Sequence, residues 1–290
     1  MIGAVVAVMV AACGSNSTPS ATSSSASSPE QATTTSAAVA SGPAQVIVPL
    51  GNEPSGTVTL SWDPQTKFVT AKLQMVGLTP DSSHAMHIHQ GNCANQGDIL
   101  VPFVDVTSDK AGVINASVLS ADPAENGLAA GTLLNIHLAS SPQLEGPGSP
   151  PWTPISCADI NPAASTTLQM APLPQSGDHP QSQAILNYDS EAKTLTVAAR
   201  ATGLVGGSAH AVHIHSGACD SQGGVKYHLN DLVAGPDGVA ETTTVIPNVD
   251  QAPPVTGWYV NVHQGAHDQI EKDGKPTMYF APVLCGNVGR

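Results

Sequence analysis

Apolar and polar residues alternate along this chain with a period of two. Phe68-Val69-Thr70-Ala71-Lys72-Leu73-Gln74-Met75-Val76 and Leu195-Thr196-Val197-Ala198-Ala199-Arg200 are the plainest runs. Such alternation places apolar side chains on one face of a half-buried strand. Thr57-Val58-Thr59-Leu60, Gly112 to Leu119 and Leu133 to Leu138 continue it. No comparable stretch carries an apolar stripe at helical spacing. Short strands separated by turn residues predict an all-β chain, built as β-sandwiches or flattened Greek-key barrels.

The pattern occurs twice. An offset of 126 residues lays His210-Ala211-Val212-His213-Ile214-His215-Ser216-Gly217-Ala218-Cys219 on His84-Ala85-Met86-His87-Ile88-His89-Gln90-Gly91-Asn92-Cys93, with seven of the ten positions identical. Trp62-Asp63 falls on Tyr188-Asp189, Gly77-Leu78 on Gly203-Leu204, Gly112-Val113 on Gly238-Val239, and Asn135-Ile136-His137 on Asn261-Val262-His263. The repeats predict one domain over 45–165 and a second over 175–290, joined by a Pro/Ser/Gln-rich segment around Ala171 to Pro180.

Before the repeats, Met1 to Ala12 is apolar and uncharged and runs into Val10-Ala11-Ala12-Cys13-Gly14. That run is too short for the roughly 20 residues that span a bilayer. It resembles a bacterial lipobox at the end of a signal peptide lacking its basic leader, so residues 1–13 are expected to direct export and Cys13 to carry lipid. From Gly14 to about Pro43 the chain is Ser, Thr, Ala, Pro and Gln, with Glu30 as its only charge. Too little large apolar surface is present to offset the entropy of ordering, and a flexible linker over 14–44 is expected. The exported protein would be anchored by lipid to the outer face of the cell membrane, or lie in a periplasm.

Charge narrows the partners. Lys plus Arg total 9 against 22 Asp plus Glu, a net charge of -13, which excludes the basic footprint that nucleic acid or an anionic bilayer surface requires. Membrane contact is then expected through the lipid anchor alone. No phosphate-binding glycine loop or nucleophile motif is present. Trp62, Trp152 and Trp258 read as packing residues, and Met75, Met86, Met170 and Met278 as core methionines. Apart from Cys13, Cys93, Cys157, Cys219 and Cys285 divide two to a repeat. Three pairings are possible, and repeat symmetry together with export favours the disulfides Cys93–Cys157 and Cys219–Cys285.

The chemistry lies in the histidines, which at 11 outnumber the basic residues. His87 and His89 are two apart, as are His213 and His215, so each pair projects from one face of a strand. His137 and His263 are third candidates at the ends of later strands. Imidazoles from two strands can converge on one ion, and neutral nitrogen suits copper or zinc better than magnesium or calcium. His228 is a fourth candidate in the second repeat, where the first has Pro102. The expectation is a four-histidine site in the second domain and a weaker three-histidine site in the first. His84 and His210, opposite in strand parity, are expected to support the ligands or pack, and His179 and His267 to be surface histidines.

These residues carry a family resemblance. His84-Ala85-Met86-His87-Ile88-His89 resembles the HxxHxH strand of copper/zinc superoxide dismutases, with His87 and His89 at copper-ligand positions. Asn135-Ile136-His137 and Asn261-Val262-His263 look like the later copper-ligand strand, and both are also similar to CHRD (chordin-type) domains. Cys285-Gly286 is similar to the dismutase end, and His228-Leu229-Asn230 to its bridging-histidine region. The resemblance implies two tandem Greek-key β-sandwich domains of the superoxide dismutase type. The zinc-loop ligands have no counterpart, nor does the anion-guiding arginine, since Arg200 and Arg290 are the only arginines. Copper alone, rather than a copper/zinc pair, is therefore the expected cofactor, with His228 a terminal ligand. Three functions follow: an extracytoplasmic copper-binding lipoprotein that exchanges copper with another protein, a copper-only dismutase acting on superoxide, and a non-catalytic structural or adhesive CHRD protein.

Overall fold

The computed structural model describes residues 44–172 and 182–289. The expected export signal with Cys13, nearly all of the expected linker, residues 173–181 of the inter-repeat segment with His179, and Arg290 lie outside the described residues. The chain is all-β: apart from three short 3-10 turns, every regular element among the described residues is a strand. No helix there is long and apolar enough to cross a membrane.

Each repeat is built on two larger antiparallel sheets, with small two-stranded ones beside them. In the first repeat one sheet has the order Ser165–Met170, Ser55–Trp62, Val69–Val76, Ile114–Leu119. The other runs Pro154–Asp159, Thr132–His137, Met86–Asn92, Asn95–Pro102. The second repeat copies both: Ala44–Pro49, Gln183–Asp189, Thr194–Ala201, Ala240–Ile246 in one, and Ser221–His228, Val212–Ala218, Trp258–His263, Pro282–Asn287, Gly51–Asn52 in the other. The alternation read from sequence is the burial pattern here. Val69, Ala71, Leu73 and Met75 are buried while Thr70, Lys72 and Gln74 are exposed. Each core takes residues from both sheets of its repeat, as with Leu60, Leu73, Ile88 and Ile136 in the first and Leu186, Val197, Ile214 and Val260 in the second. Met75, Met86 and Met170 are buried in the first core and Met278 packs against it.

The edge strands are exchanged between repeats. Ala44–Pro49, placed by the sequence reading at the start of the first domain, pairs with Gln183–Asp189 of the second, with Val46 opposite Leu186 and Val48 opposite Ala184. Gly51–Asn52 continues beside Pro282–Asn287. Reciprocally Ser165–Met170, which leads into the second repeat, pairs with Ser55–Trp62 of the first. Val46, Val48 and Leu50 are therefore in the second core, and Leu168 and Met170 in the first. The boundaries at 45–165 and 175–290 follow the repeat in sequence but do not delimit the sheets, because a two-residue period fixes which face is apolar and not which strand lies alongside.

Candidate metal sites

The HxH strand is buried on both faces, and its parity divides the work. Met86 and Ile88 enter the core, so His87 and His89 project from the opposite face of the sheet. The neighbouring strand pairs Asn135 with His87 and Leu133 with His89. His137, two residues past Asn135, faces the same side. One ligand nitrogen from each of His87, His89 and His137 lies within 4.8 Å of the others, as does one from each of His213, His215 and His263. Groups of histidines able to hold a metal ion are thus present in both repeats.

Two of the three rings in each group are held in one tautomer by the backbone. His89 Nδ1 donates to the Gly97 carbonyl at 2.9 Å and His137 Nδ1 to the Trp152 carbonyl at 2.6 Å. The second repeat reproduces this, with His215 Nδ1 on Gly223 at 2.9 Å and His263 Nδ1 on Phe280 at 2.6 Å. A ring donating through Nδ1 keeps a bare lone pair at Nε2. In the first repeat His87 Nδ1, His89 Nε2 and His137 Nε2 are all buried with no hydrogen-bond partner, as is His213 Nδ1 in the second. There His215 Nε2 and His263 Nε2 stand 3.4 Å apart as two facing lone pairs. Buried polar atoms are seldom left unpaired, and a cation between these nitrogens would satisfy all three of each group. The donor sets fit copper or zinc.

Burial sets the charge state. Desolvation, then the neighbouring histidines, pushes His87 down to about 4, His213 to about 2 and, with backbone acceptance opposing it, His137 to about 4 and His263 to about 3. Burial also lowers His89 and His215. All six are neutral near pH 7, the form a metal ligand needs.

His84 and His210 stand outside the groups. Each donates through Nδ1 to the backbone carbonyl of the third histidine, His84 to His137 at 2.9 Å and His210 to His263 at 2.8 Å. His228 does not join His215 and His263. Its Nδ1 lies 3.0 Å from His213 Nε2, the nitrogen turned away from them, and it groups with His213 and His267. The expected four-histidine site in the second domain is therefore divided about the His213 ring. His267, expected to be an isolated surface histidine, belongs to this second group.

Two further contributors escaped the sequence reading. The Trp152 ring lies 5.0 Å from His137 and 6.3 Å from both His87 and His89. Phe280 lies 4.4 Å from His263, 6.1 Å from His215 and 6.4 Å from His213. Each sits on a 3-10 turn, Pro150–Trp152 or Met278–Phe280, and puts an aromatic ring against one histidine group. Past the third histidine the repeat offset slips by two residues, and the lids differ in chemistry, so neither alignment nor identity marks them.

Disulfides Cys93–Cys157 and Cys219–Cys285 tie the turn after each HxH strand to the strand flanking the third histidine. A loop closed over a sequence separation of 64 or 66 residues stabilises the fold by about 4 kcal/mol in the chain-entropy picture.

Two sheets per repeat and a repeated histidine group define a tandem all-β protein with metal-binding potential in each half. The chain matches the CHRD domain model twice, over residues 36–145 and 162–271, and belongs to the CHRD domain family. No curated protein matches it. Among solved structures, a double mutant of an SOD-like protein from Bacillus subtilis is 19% identical, with 38% of this chain and 89% of that chain covered and a TM-score of 0.29. A single mutant of an SOD-like protein from the same organism is 18% identical, with 37% and 90% covered and a TM-score of 0.28.

Proposed function

We propose that this chain is an extracytoplasmic copper-holding lipoprotein, with one copper ion bound by His87, His89 and His137 and another by His213, His215 and His263, each on a Greek-key sandwich of the superoxide dismutase type. The observation that carries the reading is the set of buried nitrogens converging in each repeat with no proton donor to pair them, two of the three rings in each set being fixed in tautomer by the backbone. For one nitrogen set the Irving–Williams order ranks copper above zinc. Cys13 would carry the lipid anchor, and a copper-exchanging protein would be the partner. Holding is favoured over superoxide turnover by two features. Trp152 and Phe280 cover the groups with apolar rings, and a net charge of -13 repels an anionic substrate.

The test is metal analysis of purified protein loaded with copper and washed with a weak chelator. His215→Ala is expected to lose one copper per chain, His137→Ala a different one, and the double variant both. Copper content unchanged in all three variants would overturn the assignment.

A further inference from the structure

We propose a second metal position in the second repeat, outside the His213 ring, where His213 Nε2, His228 Nδ1 and His267 Nε2 hold a divalent ion of the copper–zinc class. It goes beyond the function proposed above and needs only the outward nitrogen of His213. That nitrogen is 3.0 Å from both His228 Nδ1 and His267 Nε2. One ligand nitrogen from each of the three residues lies within 4.8 Å of the others. Three nitrogens at about 2.0–2.1 Å from a tetrahedral ion are roughly 3.3 Å apart, so small shifts would seat one.

A proton cannot do the same work. His213 Nδ1 is buried with no hydrogen-bond partner, and whichever nitrogen of that ring carries the proton, Nε2 can share one proton with only one of its two neighbours. His267 is fixed as an acceptor, because its Nδ1 donates to the Asp231 carboxylate. A carboxylate behind a histidine is the arrangement that orients a metal ligand and raises its basicity. Here it also supplies negative charge beside the cation. His228 is exposed and His267 and Asp231 half-buried, so an ion can reach this position from solvent.

The first repeat is an internal control. Asp105 is retained where the second has Asp231, but Pro102 replaces His228 and Ser141 replaces His267. There Ser141 hydrogen-bonds Asp105 through both its backbone N–H and its hydroxyl. The carboxylate has a partner in both repeats, but among the described residues only the second has a nitrogen cluster beside it.

The experiment is copper(II) titration of the chelator-stripped full chain, with bound copper counted per chain and followed by electron paramagnetic resonance. Wild type is expected to bind three ions. His228→Ala and His267→Ala should each bind two and share the apo melting temperature of wild type. His215→Ala should lose the inner ion of the second repeat but keep the outer one. Two cupric ions can share the His213 ring only as imidazolate, its remaining proton being released to solvent, and such a pair couples magnetically, so His267→Ala should restore the paramagnetic signal that the second repeat of wild type lacks. Copper stoichiometry in His228→Ala and His267→Ala equal to that of wild type would overturn this site. Wild-type stoichiometry in His215→Ala would instead overturn the inner one.

Discussion

His89 and His215 each commit Nδ1 to the carbonyl of a glycine eight residues on, and His137 and His263 to the carbonyl beneath an aromatic lid. Those four hydrogen bonds decide which nitrogen is bare. The HxH pairs and the paired NxH histidines were legible in sequence because spacing of two and a 126-residue offset are local, countable signals. The carbonyl partners and the lids were not, since a backbone acceptor has no residue signature and Trp152 and Phe280 differ in kind. Titration follows from the same burial. Eight histidines, 84, 87, 89, 137, 210, 213, 215 and 263, are held below their ordinary range, chiefly by desolvation. Unfolded histidine titrates near 6.5, so between there and the folded values the unfolded chain binds more protons, and stability falls as pH drops. Glu53 opposes this, since burial pushes its carboxyl up to about 7. Eight groups against one decide the sign. Metal-free protein is expected to unfold at lower urea concentration at pH 5 than at pH 7.5. A midpoint that is unchanged or rises on acidification contradicts the burial account.

At the scale of the strand, apolar alternation picked out the runs 68–76 and 195–200, which fall on the strands Val69–Val76 and Thr194–Ala201 with alternate residues buried. It could not tell that Val46 and Val48 face the second core while Leu168 and Met170 face the first, because either strand satisfies either edge by pattern alone. The exchange means each repeat is closed by a segment preceding the other. Val48, fully buried against the second core, is the place to probe it. Val48→Ala is expected to cost about 2 kcal/mol. Amide exchange should quicken across Gln183–Asp189 and stay unchanged across Ser55–Trp62. The opposite distribution would place Ala44–Pro49 on the first repeat and contradict the exchanged arrangement.

Over the whole molecule, two histidine groups stand on two copies of the same pair of sheets, each clamped by a disulfide and each facing away from its core. His228 shows where repeat logic reached its limit. Sequence placed it in the second repeat alone, but only the fold shows that it meets the outer nitrogen of His213 and not the inner one. The central claim is that imidazoles from separate strands share one ion in each repeat. Anomalous diffraction at the copper edge, from crystals of copper-loaded protein, tests it most directly. Peaks are predicted about 2 Å from His87 Nδ1, His89 Nε2 and His137 Nε2, and equally from His213 Nδ1, His215 Nε2 and His263 Nε2. Copper bound elsewhere, with these six nitrogens in their present places and no anomalous density between them, would contradict the account.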